Sequence, residues 1–522
     1  GPSGVGKTAV VHELVRRKSE HSLSARTFFR SSGSRIVAGM CGFGMWQDRC
    51  RQIVRDAPPR KAVLHLGSLL ELMQVGQSSA SSESIASFLR PFLVRGQLVV
   101  VAECTHEQLA VIEKREPKLL DAFRQITLTE PQPESARDII RAVAENKFTG
   151  AALGKTDDLH RRYTSDTAYP GRPLRFLSRI SSNTSSRKLD TAAVLGAFAK
   201  ETGMPQVLLS DDHPLDLTAT REWFCSRIAG QDAAVSLIVD TLATIKTNLN
   251  RPGKPLASFL FIGPTGVGKT ELAKVLAEFL YNSRDRMIRL DMSEYNTPFS
   301  ASRLVSDTGI GGREGLLTAK VREHPFSVIL LDEFEKADPT VFDLFLQVLG
   351  EARLTDGAGR IADFSNSVII MTSNLGAREY QRGSLGFAGD PARDAVEHFS
   401  TAVKAALRPE LFNRIDRILP FLPLPREIIA HIIRREFSEI DARDGLGGHG
   451  TSLLVAPEVL DHLVTSGYDP RYGARPLKRA VERLLLQPAA ELLAVSTRSG
   501  ADLAASLSAD NKIVVSWQSR QT

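Results

Sequence analysis

Two apolar patterns alternate along this 522-residue chain. Short continuous apolar runs, each stopping abruptly at glycine or polar residues, have the character of strands buried on both faces of a parallel sheet. They fall at Lys61–Leu66 (KAVLHL), Gln97–Ala102, Phe259–Ile262, Met287–Leu290, Ser327–Glu333 (SVILLDE) and Val368–Asn374 (VIIMTSN). Helix-period segments lie between and after them, from Val10 to Arg17, from Pro131 to the polar stretch at Ser181–Lys188, and through Val321. Beyond Pro423 the pattern is helical again, with Ile429, Ile432, Ile433, Phe437 and Ile440 near one face. Helices from Pro457 and Arg475 follow, and an apolar IVVSW segment stands near the end. Strands alternating with helices predict an α/β architecture with parallel sheets.

Two of the junctions carry chemistry. Gly263 to Thr270 reads GPTGVGKT between an apolar run and a helical pattern, the strand–loop–helix order of a phosphate loop. Gly263, Gly266 and Gly268 let the loop Pro264-Thr265-Gly266-Val267-Gly268 curl around a polyphosphate, with backbone N–H groups offered from Thr265 onward. Lys269 reaches the outer phosphates, and the Thr270 hydroxyl can hold Mg²⁺ at a helix N-terminus that favours anions. Gly1 to Thr8 reads GPSGVGKT, nearly the same octet 262 residues earlier, with Gly4, Gly6, Lys7 and Thr8 in the same places. The pair reads as a duplicated nucleotide-binding module. No strand precedes the first octet, so the chain is expected to be truncated.

The later apolar run ends in Asp332 and Glu333, where a doubly wound sheet places its ligand groups. Asp332 is expected to hold Mg²⁺ and Glu333 to orient and deprotonate the attacking water. Asn374, closing the next run, is an amide suited to placing water near the γ-phosphate. Arg414, in RPELFNRID, has the chemistry to neutralise transition-state charge from a neighbouring subunit. In the first half the corresponding run ends in Gly67 and Ser68, so the acids are missing, while Cys104 and Thr105 follow the next run.

Composition narrows the class. Apolar residues at 42% and charged residues at 24% are ordinary globular values, which excludes a disordered or fibrous chain. The length predicts roughly three or four compact units. Lys and Arg exceed Asp and Glu by only 66 to 60, scattered, with no basic stripe, so nucleic acid is not the expected partner. The four cysteines, Cys41, Cys50, Cys104 and Cys225, have no metal or redox spacing and predict free thiols in a reducing cytoplasm. No apolar run approaches a membrane span.

Taken together, GPTGVGKTEL, LDMSEY, SVILLDEFEKADPTVFDLFLQVL, ARLTDGAGR, VIIMTSNLG, RPELFNRID and YGARPLKR resemble the second AAA+ module of Clp-type ATPases of the ClpA, ClpB and ClpC group. The resemblance covers about residues 225 to 490, and GPSGVGKTAVV with Val37–Gly39 links the first module more faintly. It implies a hexameric ring using ATP and Mg²⁺ to remodel or unfold protein clients in stress response. By position it implies Walker A at Lys269 and Thr270, Walker B at Asp332 and Glu333, sensor 1 at Asn374, an arginine finger at Arg414, sensor 2 at Arg475, and adenine contacts at Ile228 and Ala229. The fold class is then α/β with two tandem P-loop AAA+ modules. The expected domains are a degenerate large domain at 1–130, a small helical domain at 131–205, a linker at 206–230, a complete large domain at 231–422 and a small lid at 423–522.

Departures from the family set further expectations. Gly67 and Ser68 replace the acids, and Asp121 and Ala122 replace the paired arginines, so the first module is expected to bind nucleotide or serve as structure without hydrolysing. The Gly-Tyr-Val-Gly client loop is DTGIGG here, Asp307 to Gly312, leaving Ile310 for grip; Phe43 in MCGFGMW is the first module's aromatic, and Trp46 reads as core. The missing aromatics keep open a nucleotide-switched assembly protein that does not thread clients. Leu385-Gly386-Phe387 resembles the loop with which ClpA and ClpC dock on the ClpP peptidase. Too few residues separate the modules for a ClpB-type coiled-coil insertion.

Overall fold

A computed structural model describes the chain except residues 41–44, 78–82, 164–166, 183–187, 308–312, 358–359, 378, 381–390, 442–450, 468–474, 496–500 and 520–522. It divides into two compact units, Gly1–Ala197 with Thr355–Ala362, and Phe198–Leu354 with Asp363–Thr522. The division falls inside a helix, Thr191–Thr202.

In the first unit, the phosphate loop opens α1 (Lys7–Arg16), and three parallel strands follow in spatial order: β1 (Thr27–Arg30), β2 (Ala62–Ser68) and β3 (Val99–Glu103). Two of them are the runs expected at 61–66 and 97–102. β2 is buried along Ala62–Leu66, and its Ala62, Leu64 and Leu66 join Ile85, Leu89, Ile112 and Leu119 in one core. Trp46 packs on that core, its ring 5.9 Å from Phe88, as its sequence context predicts. The β2–β3 register breaks after His65, which sits opposite Val101, so that Ser68 faces Glu103. Gly67, at φ 67°, supplies the irregularity. Helices Pro133–Ala144, Gly150–Arg162 and Gly171–Ser181 complete the unit's helical part.

The second unit holds β4 (Ala257–Ile262), β5 (Met287–Asp291), β6 (Val328–Asp332), β7 (Val368–Ser373) and β8 (Arg417–Pro420), all parallel, in the order β8-β4-β7-β6-β5. β4, β6 and β7 are buried at every position, which is why their sequences are unbroken apolar runs rather than alternating ones. In register, Ser373 stands opposite Ile262 and Asp291 opposite Asp332, so the carboxyl ends finish level and present their polar residues together. Helix α2 (Lys269–Tyr281) buries Leu272, Ala273, Val275, Leu276 and Leu280, a stripe of helical spacing. The C-terminal part contains helices Arg426–Asp441, Pro457–Gly467 and Gln487–Val495. It also carries a three-stranded sheet, Leu453–Val455, Ala501–Leu507 and Ile513–Ser519, to which the IVVSW segment belongs.

Candidate functional site: two phosphate loops and their strand ends

The second loop is shaped by its glycines. Gly263 adopts φ 147° and a Cβ there would collide with the Phe421 carbonyl, so no other residue fits; Gly268, at φ 104°, turns the chain into α2. Lys269 is buried, and its ammonium donates to the carbonyls of Gly263 (2.5 Å), Pro264 (3.0 Å) and Ser373 (3.1 Å) and to Asn374 Oδ1 (2.7 Å). These contacts fix the cation where β4, β7 and the helix N-terminus meet, which is where a phosphate's negative charge is best stabilised.

The acids come from the end of β6. Asp332 Oδ1 accepts from Thr372 Oγ1 at 2.6 Å, and its other oxygen accepts from Arg289 at 2.6 Å. Glu333 is a non-glycine residue in the left-handed region, φ 54°, held there by its N–H donating to the same Thr372 hydroxyl at 3.0 Å. Such strain is stored where the surroundings over-determine it. The Glu333 carboxylate is ion-paired with Lys336, whose ammonium is raised above the ordinary lysine range chiefly by that hydrogen bond. Glu335 accepts from the Asn374 N–H at 3.1 Å, tying β6's exit to β7's end.

Lys269, Thr270, Asp332, Glu333 and Asn374 line one cavity of about 750 Å³ together with Thr265–Gly268, Ile228 and Ala229. That volume suits a nucleotide-sized ligand. Ile228 is buried, and Gln231, three residues on, donates to the carbonyls of Val267 (3.2 Å) and Leu422 (3.0 Å), fastening this segment to the phosphate loop. Ile432, His431, Arg435 and Lys478 from the C-terminal part close the cavity. Thr270 and Asp332 supply a hydroxyl and a carboxylate, the hard oxygen donors Mg²⁺ takes beside nucleotide phosphates.

Arg414 lines neither of the two loop cavities. Its guanidinium donates to the Leu346 carbonyl of helix α3 (Pro339–Glu351), in space left by Gly350, where a Cβ would strike it. The loop is anchored by Asp416, which accepts from the Ser258 N–H (2.9 Å) and Oγ (2.7 Å). Arg475 begins the helix Arg475–Val481, and its side chain lies outside the described residues, as do Phe43, Ile310, Leu385, Gly386 and Phe387. Sequence reasoning missed Thr372, Arg289, Lys336 and Lys478. Thr372 is a hydroxyl one strand from the acid, Arg289 lies mid-strand in β5, Lys336 follows β6 and Lys478 lies in the helix Arg475–Val481, positions that carry no sequence signal of a site.

The first loop repeats the second closely. A Cβ at Gly1 would collide with the Leu128 carbonyl as one at Gly263 would with that of Phe421. Lys7 donates to the carbonyls of Gly1 (2.7 Å) and Pro2 (2.6 Å), and burial pulls its ammonium below the ordinary range while Glu103 pushes it back. Gly4 (φ 89°) and Gly6 (φ 101°) take the left-handed conformations of Gly266 and Gly268. Lys7 and Thr8 line a cavity of about 550 Å³ with Gly67, Ser68, Glu103, Cys104 and Thr105. Ser68 caps the helix Leu69–Gln74 through the Glu71 N–H, and Thr105 caps His106–Arg115. The expectation of a pocket without an acid needs correcting. Glu103 enters it from β3, accepting from Thr8 Oγ1 at 2.9 Å on both oxygens and lying 2.7 Å from His65 Nε2.

Comparison with known proteins defines the class. Residues 254–418 match the family described as AAA domain (Cdc48 subfamily), and residues 424–502 match the C-terminal, D2-small domain of ClpB protein. The ATP-dependent Clp protease ATP-binding subunit ClpE of Bacillus subtilis is 30% identical over 94% of this chain and 80% of its own length. Chaperone protein ClpB of Pseudomonas putida is 44% identical over 59% of this chain and 35% of its own. Among solved structures, the S. cerevisiae Hsp104–ADP complex is similar with a TM-score of 0.78 and 28% identity, covering 98% of this chain and 92% of that one. A closed-state Hsp104 reconstruction with ATPγS and casein gives 0.77 and 28% over 99% and 91%. The chain belongs to the Clp-type AAA+ ATPases. It has their α/β fold, and it is a nucleotide-binding ATPase.

Proposed function

We propose that this ATPase remodels or unfolds protein clients, hydrolysing Mg²⁺·ATP in the second unit while the first binds nucleotide and supports assembly. The observation that carries the reading is one cavity holding Lys269, Thr270, Asp332, Glu333 and Asn374, with Arg414 outside its lining and its guanidinium bonded to the Leu346 carbonyl. Lys269 grips the outer phosphates, Asp332 and Thr270 direct the metal, and Glu333, once released from Lys336, takes the proton of the attacking water. Asn374 places that water, and Arg475 senses nucleotide from the C-terminal part. Arg414 neutralises charge in a neighbour's site, which makes a hexameric ring the working form. Relatives named as chaperones and an Hsp104 structure with casein support protein clients. Among the described residues no helix is long and apolar enough to cross a membrane. Leu385-Gly386-Phe387 remains the proposed contact for a ClpP-like peptidase.

The test is ATP turnover with and without an unfolded client such as casein. Client-stimulated turnover that Glu333→Gln abolishes is expected. Turnover indifferent to client, with oligomer size following nucleotide instead, would favour the assembly-switch reading, which the Ile310 loop's lack of an aromatic suggests.

A further inference from the structure

The first cavity keeps its cations and has moved its acid. Lys7, Arg30 and Arg35 line it, and Glu103 is the only carboxylate among the described lining residues. The strand ends correspond by their loop contacts: the Gly1 nitrogen donates to the Cys104 carbonyl at 3.3 Å, as the Gly263 N–H donates to that of Ser373 at 3.2 Å. Glu103 therefore occupies the place of Thr372, the residue whose hydroxyl holds Asp332. The place of Asp332 itself falls on Gly67, which has no side chain.

We propose that Glu103 is the magnesium-directing acid of the first phosphate loop, supplied from the strand beside the one on which the second unit carries Asp332. Three features support it. The Thr8 hydroxyl, the loop's own metal donor, is already within hydrogen-bonding distance of both Glu103 oxygens. His65, buried on β2, braces the carboxylate from behind at 2.7 Å. Ser68, the remaining strand-end group, is committed to capping a helix, so the pocket gains a metal-directing acid without a base for water. Mg²⁺ uses one or two carboxylates plus phosphates rather than an all-protein cage, so a single displaced acid suffices. The reach is direct, since both Glu103 oxygens lie 2.9 Å from the Thr8 hydroxyl. The inference rests on the reading that the first unit binds nucleotide.

The experiment uses the full chain carrying Lys269→Ala, which silences the second loop, and titrates a fluorescent ADP analogue in Mg²⁺ and in EDTA. Electron paramagnetic resonance of Mn²⁺ with ADP reports the metal directly. Expected is an affinity at least about tenfold higher with Mg²⁺ than with EDTA; Glu103→Gln should close that gap and release the Mn²⁺ signal while leaving the EDTA affinity in place. The exchange variant Gly67→Asp with Glu103→Thr, which copies the Asp332/Thr372 pair, should reopen it. A Cβ at Gly67 meets only the Ser31 carbonyl at 4.0 Å, and Asp tolerates the left-handed backbone better than most residues. Equal affinity in Mg²⁺ and EDTA before Glu103 is changed, or a gap that survives Glu103→Gln, overturns the proposal. If Glu103→Gln also loses binding in EDTA, the exchange variant decides, a Mg²⁺ gap supporting the proposal and none refuting it. No nucleotide binding in either condition sinks the underlying reading and the proposal with it.

Discussion

The two phosphate loops differ by one residue, Ser3 against Thr265, and their backbones and lysines are held by the same carbonyls. Their surroundings differ much more. Around the second loop, Thr372 bonds both the Asp332 carboxylate and the Glu333 N–H, so one hydroxyl positions both acidic residues at the strand end. Around the first, the strand ends in Gly67 and Ser68, and the acid arrives from the neighbouring strand. A loop sequence thus specifies where phosphates sit. Whether the bond to the last phosphate breaks depends on side chains delivered by other strands.

The comparison can be broken most forcefully at the groups the first unit lacks. Arg414→Ala should cut turnover by about 10³- to 10⁵-fold, the range for an arginine finger. Mixing it with Glu333→Gln subunits should restore part of the activity if the arginine acts on a neighbour, which a turnover assay of the mixture reads. Next, Glu333→Gln should lower turnover by about 10²- to 10⁴-fold with nucleotide affinity retained, as single-turnover and binding measurements can separate. Smaller again, Thr372→Val removes the shared hydroxyl. Turnover should fall by about 10- to 100-fold, as for outer-shell partners of metal ligands, with a stability loss of about 1–3 kcal/mol from the buried Asp332 oxygen left unpaired.

The mildest effect distinguishes the units by acid stability. Burial, followed by the nearby Arg172 and Arg179, depresses His160 in the first unit from 6.5 to about 3, against a smaller opposing pull from Asp157. The unfolded chain takes up that proton near pH 6.5 and the folded one only near 3. The contribution is therefore intact above pH 6.5 and declines as pH falls from there toward 3. His160→Gln should flatten the acid limb of the first unit's thermal melting and leave the second unit's unchanged.

How much of this was legible in sequence follows from burial. β2, β4, β6 and β7 were readable because both faces are covered, leaving unbroken apolar runs that end at the chemistry, while β3 and β5 showed through their apolar residues although they are only partly buried. β1, Thr27–Arg30, is a short and largely exposed edge strand and carries no such signal. The IVVSW run was visible, but its partner Ala501–Leu507 is built from small residues. Within the site, Lys269, Thr270, Asp332, Glu333 and Asn374 come together as their spacing predicted. Glu103 and Thr372 were overlooked because their roles depend on cross-strand register, and for Glu103 on an irregularity at Gly67. Lys336, three residues beyond Glu333, reads in sequence as an ordinary surface lysine.

The central claim is that hydrolysis belongs to the second loop alone, and steady-state ATP turnover of Lys7→Ala beside Lys269→Ala tests it most directly. Lys269→Ala should abolish turnover while Lys7→Ala retains most of it. Equal losses in the two variants, or greater loss in Lys7→Ala, would contradict the account.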